Sequence, residues 1–227
     1  MTAQTMQIGN KPCHIYGETH AEYLLFQMTG EHELQSMESE VAAIAQSAHR
    51  FLFAAIPVES WNDALSPWEA PAVWGKQGFG GNAGDTLRFL TEQVIPTLKR
   101  QFPLPENVKI ILGGYSLAGL FALWASTQTD LFYGIAAASP SVWFPGWMEF
   151  EQQHPMQAQH IYLSLGDKEE HTKNAVMAAV GDHIRTLHSR LIERGADCTL
   201  EWNSGGHFKD ADLRTAKAFQ WVMEEHT

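Results

Sequence analysis

A serine near the middle of the chain has the surroundings of an enzyme nucleophile. Ser116 lies between an apolar run, Val108–Leu112, and an apolar stretch, Leu117–Ser126, with Gly114 two residues before it and Ala118 two residues after it. A serine at a strand-to-helix junction, flanked by small residues at these spacings, is typical of a nucleophile elbow. Ala118 replaces the more usual glycine and is still small enough for the strand to fold back against the helix. The pattern therefore predicts Ser116 as a nucleophile on a strained turn.

Backbone amides near this turn would stabilise a developing negative charge. In an elbow, the N–H of Leu117 points to where a tetrahedral oxyanion forms, and the positive end of the helix dipole adds to the effect. A second amide is expected in the loop after the buried run Phe51–Ile56, within Val58–Trp61. We predict an oxyanion hole formed by Leu117 and Trp61.

A serine hydroxyl needs a base to take its proton, and the base needs a third group to orient it. His207 lies on a Gly-rich loop, Asn203–Phe208, directly after a strand-like run, Cys198–Trp202. A histidine in such a loop can reach a serine at the end of another parallel strand. We therefore predict His207 as the general base.

The acid would come from the turn after the strand-like run His160–Leu165. This turn begins at Gly166 and carries three carboxylates, Asp167, Glu169 and Glu170. Glu169 stands three residues after the glycine, where the acid is common in such loops, and we assign the role to it. Asp167 and Glu170 remain alternatives. The order serine, acid, histidine along the chain fits the expected arrangement.

These motifs resemble the esterase D-type family of esterases in the α/β-hydrolase superfamily, which includes S-formylglutathione hydrolases and siderophore esterases. The resemblance is carried by Gly114–Gly119, Ser139–Trp143 and Gly205-Gly206-His207, and the stretch Pro57–Pro71 is similar to uncharacterised bacterial serine hydrolases of this superfamily. It covers the chain from about Phe51 onwards. It implies an α/β-hydrolase fold and ester hydrolysis, and it identifies the superfamily better than the substrate.

Apolar patterns along the chain alternate between strand and helix, which predicts a mostly parallel sheet with helices on both faces. Only about twenty residues separate Ser141 from His160, so we expect no lid domain. We expect Pro96 to kink one of the helices. The expected strands are His14–Tyr16, Glu22–Met28, Phe51–Ile56, Val108–Leu112, Tyr133–Ala138, His160–Leu165 and Cys198–Trp202, and the expected helices are Leu34–Ala48, Ala83–Gln101, Leu117–Ser126, Asn174–Arg194 and Leu213–Glu224.

Composition limits the classes to which the chain can belong. Its 227 residues, 44% of them hydrophobic, suit one α/β domain with a substantial core, and we expect that single domain to span residues 1–227. A net charge of −11 without a basic cluster argues against binding to nucleic acid or anionic membranes. Two unpaired cysteines, Cys13 and Cys198, and a beginning without signal-peptide features favour a cytoplasmic protein. Assembly into a homo-oligomer is left open.

The longest irregular segment, Pro57–Asn82, is rich in tryptophan. A loop of this length in a compact domain is often functional. We predict a substrate pocket lined by Trp68, Trp143 and Tyr115, the alternative being that such aromatic residues only pack the loop onto the sheet. The string Gly78–Ala83 resembles a dinucleotide motif but does not follow a buried strand, so no cofactor is expected. No histidine spacing suits a metal ion.

The sequence therefore predicts a metal-independent serine esterase that acts on a small-molecule ester. The same side chains could serve a thioesterase, an acyltransferase or a peptidase. A non-catalytic binding protein on this fold is the alternative from another class, and the complete set of serine, acid and histidine argues against it.

Overall fold

A sheet of eight strands forms the centre of the protein in the computed structural model, which describes residues 3–47 and 49–224. Within that part of the chain, the strands are β1 (Gln4–Ile8), β2 (Lys11–Gly17), β3 (Tyr23–Thr29), β4 (Phe51–Pro57), β5 (Glu69–Ala70), β6 (Phe79–Gly80), β7 (Lys109–Tyr115), β8 (Gly134–Ala138), β9 (His160–Gly166) and β10 (Asp197–Asn203). The α-helices of the same part are α1 (Glu31–Ile44), α2 (Trp61–Leu65), α3 (Ala83–Phe89), α4 (Ile95–Gln101), α5 (Leu117–Gln128), α6 (Trp147–Gln153), α7 (Ala175–Ala178), α8 (Val180–Glu193) and α9 (Ala211–Met223).

The sheet is mostly parallel, as the sequence predicts, and its strand order is β1-β2-β4-β3-β7-β8-β9-β10. The strands from β4 to β10 in this order pair in parallel, whereas β2 runs antiparallel to β4 and β1 antiparallel to β2. β5 and β6 form a separate antiparallel pair within the long loop. Because the parallel strands share one direction, the loops that follow them meet at one edge of the sheet.

Helices cover both faces of the sheet, which explains why the central strands are apolar throughout. On β4, Phe53 and Ala55 belong to the core under α1 and α9, whereas Ala54 and Ile56 belong to the core under α3, α4, α5, α6 and α8. Successive side chains of a strand point to opposite faces, so a strand covered on both sides needs apolar residues at every position.

The predicted helix Ala83–Gln101 is interrupted near its middle. α3 ends at Phe89, a π-helical turn spans Leu90–Val94, and α4 follows with Pro96 in its first turn. Proline has no N–H to donate, and its ring would clash with a carbonyl of the preceding turn. The π turn lies directly before this proline, and a kink caused by Pro96 stays a prediction.

Several other boundaries differ from the prediction. α1 begins at Glu31, before the predicted Leu34, and the side chain of Glu33 accepts a hydrogen bond from the N–H of Gly30 at its start (3.1 Å). The predicted last residue of this helix, Ala48, lies outside the described residues, as do the ends of the expected domain, 1–2 and 225–227.

Several elements were not predicted, and one predicted helix is divided. β1 pairs with β2 at the edge of the sheet, α6 lies between β8 and β9, and the long loop that we expected to be irregular contains α2, β5 and β6. The predicted helix Asn174–Arg194 consists of the short α7 and the longer α8, which meet at Ala179.

Both cysteines are free thiols, as the sequence predicts. Cys13 lies on β2 and Cys198 on β10, at opposite sides of the sheet. Burial raises the pKa of Cys13 to about 11 and that of Cys198 to about 12, so both thiols stay protonated at neutral pH. A protonated thiol is a poor nucleophile, and neither cysteine is a candidate for catalysis.

One carboxyl group is buried between β3 and α1. Glu40 is 2% exposed, and its Oε2 accepts a hydrogen bond from Nε2 of Gln27 (3.4 Å). Burial raises the pKa of Glu40 well above its usual range, and the charges of Asp212 and Glu33 raise it further, against the lowering effect of the bond from Gln27. The fold therefore favours the protonated form of this group.

Glu40→Gln should stabilise the fold at about pH 8 and leave its stability unchanged at about pH 4. The unfolded chain ionises this glutamate above about pH 4.3, while the folded chain keeps it protonated to higher pH, so the wild-type protein loses about 1.4 kcal/mol of unfolding free energy per pH unit across that window. The amide cannot ionise and avoids the loss. Urea unfolding of both proteins at the two pH values measures the difference, and a difference that does not change with pH would contradict a raised pKa for Glu40.

Candidate active site

Ser116 stands at the tip of the turn that connects β7 to α5. Its φ of 58° and ψ of −121° fall in a region that residues other than glycine rarely adopt. Its N–H donates to the carbonyl of Ala138 at the end of β8 (3.1 Å). A Cβ atom on Gly114 would lie 2.6 Å from the Cβ of Ala118, so small residues are required on both sides of the turn. The geometry is that of the predicted elbow.

The imidazole of His207 lies between the hydroxyl of Ser116 and the carboxylate of Glu169. Its Nε2 is 3.0 Å from Oγ of Ser116, and its Nδ1 is 2.7 Å from Oε2 of Glu169. Both distances are those of hydrogen bonds, and each ring nitrogen faces one partner. The structure thus brings together the three side chains that were selected from the sequence, from the loops after β7, β9 and β10.

The other oxygen of Glu169 is occupied by donors. Oε1 accepts hydrogen bonds from Oγ of Ser139 (2.8 Å), from the N–H of Gly166 (2.8 Å) and from Nη1 of Arg214 (3.4 Å). The side chain of Glu169 is 6% exposed. Because these bonds fix Oε1, the carboxylate cannot rotate freely, and Oε2 is kept towards the imidazole.

The two alternative carboxylates have other partners. Oδ1 of Asp167 accepts a hydrogen bond from the N–H of Gly205 (2.7 Å) and so joins the loops after β9 and β10. Glu170 forms two hydrogen bonds with Arg185, both 2.9 Å long, and the hydrogen bond from this guanidinium lowers the pKa of Glu170. Of the three acids, the geometry favours Glu169 as the partner of His207.

Tyr115 is shielded from solvent and supports the backbone of His207. Its ring is buried, and its Oη donates a hydrogen bond to the backbone carbonyl of His207 (2.6 Å). The same oxygen accepts a hydrogen bond from Nη1 of Arg214 (3.2 Å). Burial raises the pKa of Tyr115, so the phenol keeps the proton that it donates. This side chain was assigned to the substrate pocket from the sequence, and that role stays a prediction.

Two serines after β8 contact the two ends of the hydrogen-bonded row. Ser139, with a φ of 42°, directs its Oγ to Glu169. Oγ of Ser141 lies 3.4 Å from Oγ of Ser116, and the N–H of Ser141 donates to the carbonyl of Ser116 (3.0 Å). In the sequence these serines stand out only as members of the stretch Ser139–Trp143 that carries the family resemblance, because nothing in their spacing indicates which side chains they contact.

One observation reduces the range of residues that could supply the second amide of the predicted oxyanion hole. Leu117 is the first residue of α5, and the first N–H groups of a helix have no acceptor within it. The N–H of Val58 donates to the carbonyl of Thr29 (2.9 Å), which removes it from the expected range Val58–Trp61. Trp61 begins α2. The assignment of Leu117 and Trp61 to the oxyanion hole stays a prediction.

Trp68 of the long loop and Trp143 of the segment that follows β8 pack these two parts of the chain against each other. Nε1 of Trp68 donates to the carbonyl of Pro145 (3.0 Å), and its ring centre is 5.1 Å from that of Phe150. Trp143 is buried, and its ring centre is 6.3 Å from that of Phe79. These contacts are those of the packing alternative, and contact of either tryptophan with a substrate stays a prediction.

An aromatic ring that the sequence analysis did not select lies beside His207. Phe208 is 95% exposed, and its ring meets the imidazole edge to face with 5.3 Å between ring centres. The sequence gives no sign of this exposure, because a phenylalanine after a Gly-rich loop could equally turn into the core.

A concavity of about 560 Å³ lies on the long loop. It is lined by Asp63, Glu69, Ala70, Pro71, Gln77, Gly78, Phe79 and Gly80. None of the three side chains of the hydrogen-bonded row lines it, although Phe79 packs against Trp143. Ser116 as the reacting centre stays a prediction, supported by side-chain geometry rather than by cavity size.

Two further observations concern residues 3–47 and 49–224. No helix in these ranges is long and apolar enough to cross a membrane. No three of their His, Cys, Asp or Glu side chains are grouped so as to hold a metal ion. His183 is hydrogen-bonded through Nδ1 to the carbonyl of Val142 (2.9 Å).

A family model described as "Putative esterase" matches residues 33–209. The match includes Ser116, Glu169 and His207. The chain belongs to this esterase family. It is an enzyme of the carboxylic ester hydrolase class, and the resemblance inferred from the sequence motifs is confirmed. No curated protein matches the chain.

Solved structures share the fold along almost the whole chain. An IroE-like serine hydrolase from Shewanella oneidensis is 16% identical, with a TM-score of 0.79 over 96% of this chain and 79% of that one. The siderophore hydrolase EstA from Aspergillus nidulans is 18% identical, with a TM-score of 0.70 over 97% and 93%. The enterobactin esterase FES from Shigella flexneri is 16% identical, with a TM-score of 0.73 over 98% and 58%. These similarities confirm the α/β-hydrolase fold.

Proposed function

We propose that the protein is a serine esterase that cleaves a small carboxylic ester through an acyl-enzyme on Ser116, with His207 as the base and Glu169 as the acid. The observation that carries the proposal is the continuous row of hydrogen bonds from Oγ of Ser116 through the imidazole to Oε2 of Glu169, with lengths of 3.0 and 2.7 Å. Membership of an esterase family supplies the reaction class.

In the first half of the reaction, Oγ of Ser116 attacks the ester carbonyl carbon while Nε2 of His207 accepts the hydroxyl proton. The carbonyl oxygen becomes negative, and the amides of Leu117 and Trp61 are its proposed donors. The intermediate then collapses, the bond to the alcohol oxygen breaks, and Nε2 gives its proton to that oxygen. The alcohol leaves, and the acyl group stays on Ser116.

In the second half, water attacks the acyl carbon and His207 takes a proton from the water. Collapse of the second intermediate breaks the bond to Oγ, which regains a proton from Nε2, and the carboxylic acid leaves. The carboxylate of Glu169 accepts a hydrogen bond from Nδ1–H of His207 and stabilises the imidazolium that forms twice per turnover. Neither half needs a metal ion or a cofactor.

A small neutral or aromatic acyl group suits the surroundings of Ser116 best. The exposed ring of Phe208 lies beside the imidazole, and in the long loop Trp68 packs against Phe144 and Phe79 packs against Trp143. A polyanionic substrate would meet a net charge of −11. A single domain over residues 1–227 and a cytoplasmic location also remain part of the proposal.

A fluorophosphonate probe should label wild-type protein covalently at Ser116, because the probe phosphonylates a serine, with loss of fluoride, only when a neighbouring base activates it. Ser116→Ala should abolish the labelling, whereas Ser189→Ala, which replaces an exposed serine of α8, should not. Peptide mapping by mass spectrometry locates the adduct. A folded wild-type protein that stays unlabelled would favour the non-catalytic binding protein, and an adduct on another serine would refute the assignment of the nucleophile.

Among p-nitrophenyl esters, kcat/KM should be higher for acetyl, butyryl and benzoyl than for palmitoyl groups. Each methylene that fits a pocket contributes about 1 kcal/mol or more, and a long chain gains this only from a deep covered channel. Phe208→Ala should lower kcat/KM for the benzoyl ester more than for the acetyl ester, since only the larger group reaches the ring. A steady rise towards palmitoyl would refute the short-acyl preference. Activity confined to a thioester or an amide would move the protein to the thioesterase, acyltransferase or peptidase class.

A further inference from the structure

We infer that Arg214 is a positioning residue, whose buried guanidinium joins the three loops that carry Ser116, Glu169 and His207 and thereby sets the orientation of the imidazole. The inference rests on the proposed function and concerns a residue outside the triad. Arg214 lies in the first turn of α9, and its side chain is 4% exposed, so a substrate cannot reach the guanidinium.

The guanidinium contacts the last residue of β7 and the loops that follow β9 and β10. Nη1 lies 3.2 Å from Oη of Tyr115, the residue before the nucleophile, and 3.4 Å from Oε1 of Glu169 after β9. Nη2 donates to the carbonyl of Ser204 after β10 (3.2 Å). A planar fork of N–H groups can serve three acceptors in fixed directions at once.

Two of these contacts connect Arg214 indirectly to His207, one to its imidazole ring and one to its backbone. Through Oε1 of Glu169, Arg214 helps to fix the carboxylate whose other oxygen faces Nδ1 of the imidazole. Through Tyr115, which accepts from Arg214 and donates to the backbone carbonyl of His207 (2.6 Å), it supports the main chain of the same residue. The ring and the backbone of His207 are thus held by chains of hydrogen bonds that meet at one side chain.

The burial of both charges makes this arrangement sensitive to substitution. Glu169 is 6% exposed and Arg214 is 4% exposed. A buried carboxylate that loses a nearby positive charge is left with fewer stabilising partners and can reorient to find others. A change in the position of a catalytic group by about 1 Å can lower a rate by about 100-fold. Loss of Arg214 should therefore affect the chemical steps even where the fold survives.

Lysine should replace arginine only in part. An ammonium group keeps the positive charge near Glu169, but it is a compact point donor and cannot span the acceptors on Tyr115, Glu169 and Ser204 together. A graded series in which Arg214→Lys lies between wild type and Arg214→Met is the expected sign of a residue that acts through both its charge and its shape.

The experiment measures kcat and KM for p-nitrophenyl ester hydrolysis by Arg214→Met, Arg214→Lys and Tyr115→Phe. Each kcat is calculated from the concentration of folded protein. We expect Arg214→Met to lower kcat about 10- to 100-fold and to change KM by less than about twofold, because the side chain does not touch the substrate. The far-downfield proton signal of the His207–Glu169 hydrogen bond should weaken in the same variant, which a purely structural role would not require. Since Arg214 acts partly through Tyr115, the double variant should lose less than the product of the two single losses.

Arg190→Met is a matched control. Arg190 also pairs with a buried glutamate, Glu151 (3.0 Å), and with a backbone carbonyl, that of Met148 (3.0 Å), but it contacts none of the three loops. It should lower the melting temperature and leave kcat of the folded protein unchanged. If Arg214→Met behaves in the same way, with lower stability and wild-type kcat, the inference is wrong. A rise in KM at constant kcat would also overturn it and would place Arg214 in substrate binding.

Failure of the inference can be told apart from failure of the proposed function. If wild-type protein is labelled at Ser116 and hydrolyses esters while Arg214→Met is as fast, only the positioning role fails. If wild-type protein is neither labelled at Ser116 nor active, the proposed function itself fails, whatever the arginine variants do.

Discussion

The hydrogen bond between Oε2 of Glu169 and Nδ1 of His207 is the interaction on which the candidate site depends. It joins the loops after β9 and β10, and it turns the opposite ring nitrogen towards Ser116. An imidazole without such an anchor could rotate or adopt the wrong tautomer, and the serine would lose its base. The parallel register brings these loops to the same edge, because Asn203 at the end of β10 pairs with Gly166 at the end of β9.

Residues with positive φ values or with no room for a Cβ atom lie around this hydrogen bond. A Cβ atom on Gly166 would collide with the carbonyl of Gly205 and approach Oε1 of Glu169 to 2.9 Å, so the turn after β9 requires a glycine. Ser116 and Ser139 both have positive φ values; the hydroxyl of Ser116 faces Nε2 of His207, and the hydroxyl of Ser139 donates to Oε1 of Glu169. Strain at such positions costs about 1–3 kcal/mol each, which the surrounding hydrogen bonds must offset.

The sequence predicts those parts of the site that depend on the position of a residue relative to a strand. Ser116, Glu169 and His207 follow apolar runs that read clearly as parallel strands, and the structure brings their side chains together. The alternation of strands and helices likewise predicts the fold, apart from short elements such as the edge strand β1, helix α6 and the three elements of the long loop, α2, β5 and β6.

The supporting residues could not be predicted, because their roles depend on distances between loops. Arg214 reads as an ordinary charged residue of an amphipathic helix, and only the structure shows that it is buried between Tyr115 and Glu169. The aromatic residues of the long loop are the opposite case, since the sequence selects Trp68 for a pocket and the structure shows it packed on Phe150. The pattern of residue types in the sequence does not distinguish an aromatic side chain that packs the loop from one that binds a substrate.

The most direct test of this account compares the three carboxylates of one turn. Glu169→Gln removes the charge and disturbs the hydrogen bond to His207, whereas Asp167→Asn and Glu170→Gln alter groups that are bonded to Gly205 and Arg185. The account predicts that kcat for a p-nitrophenyl ester falls about 10³- to 10⁴-fold in Glu169→Gln and less than about tenfold in the other two. A crippled Asp167→Asn or Glu170→Gln beside a nearly normal Glu169→Gln would contradict it.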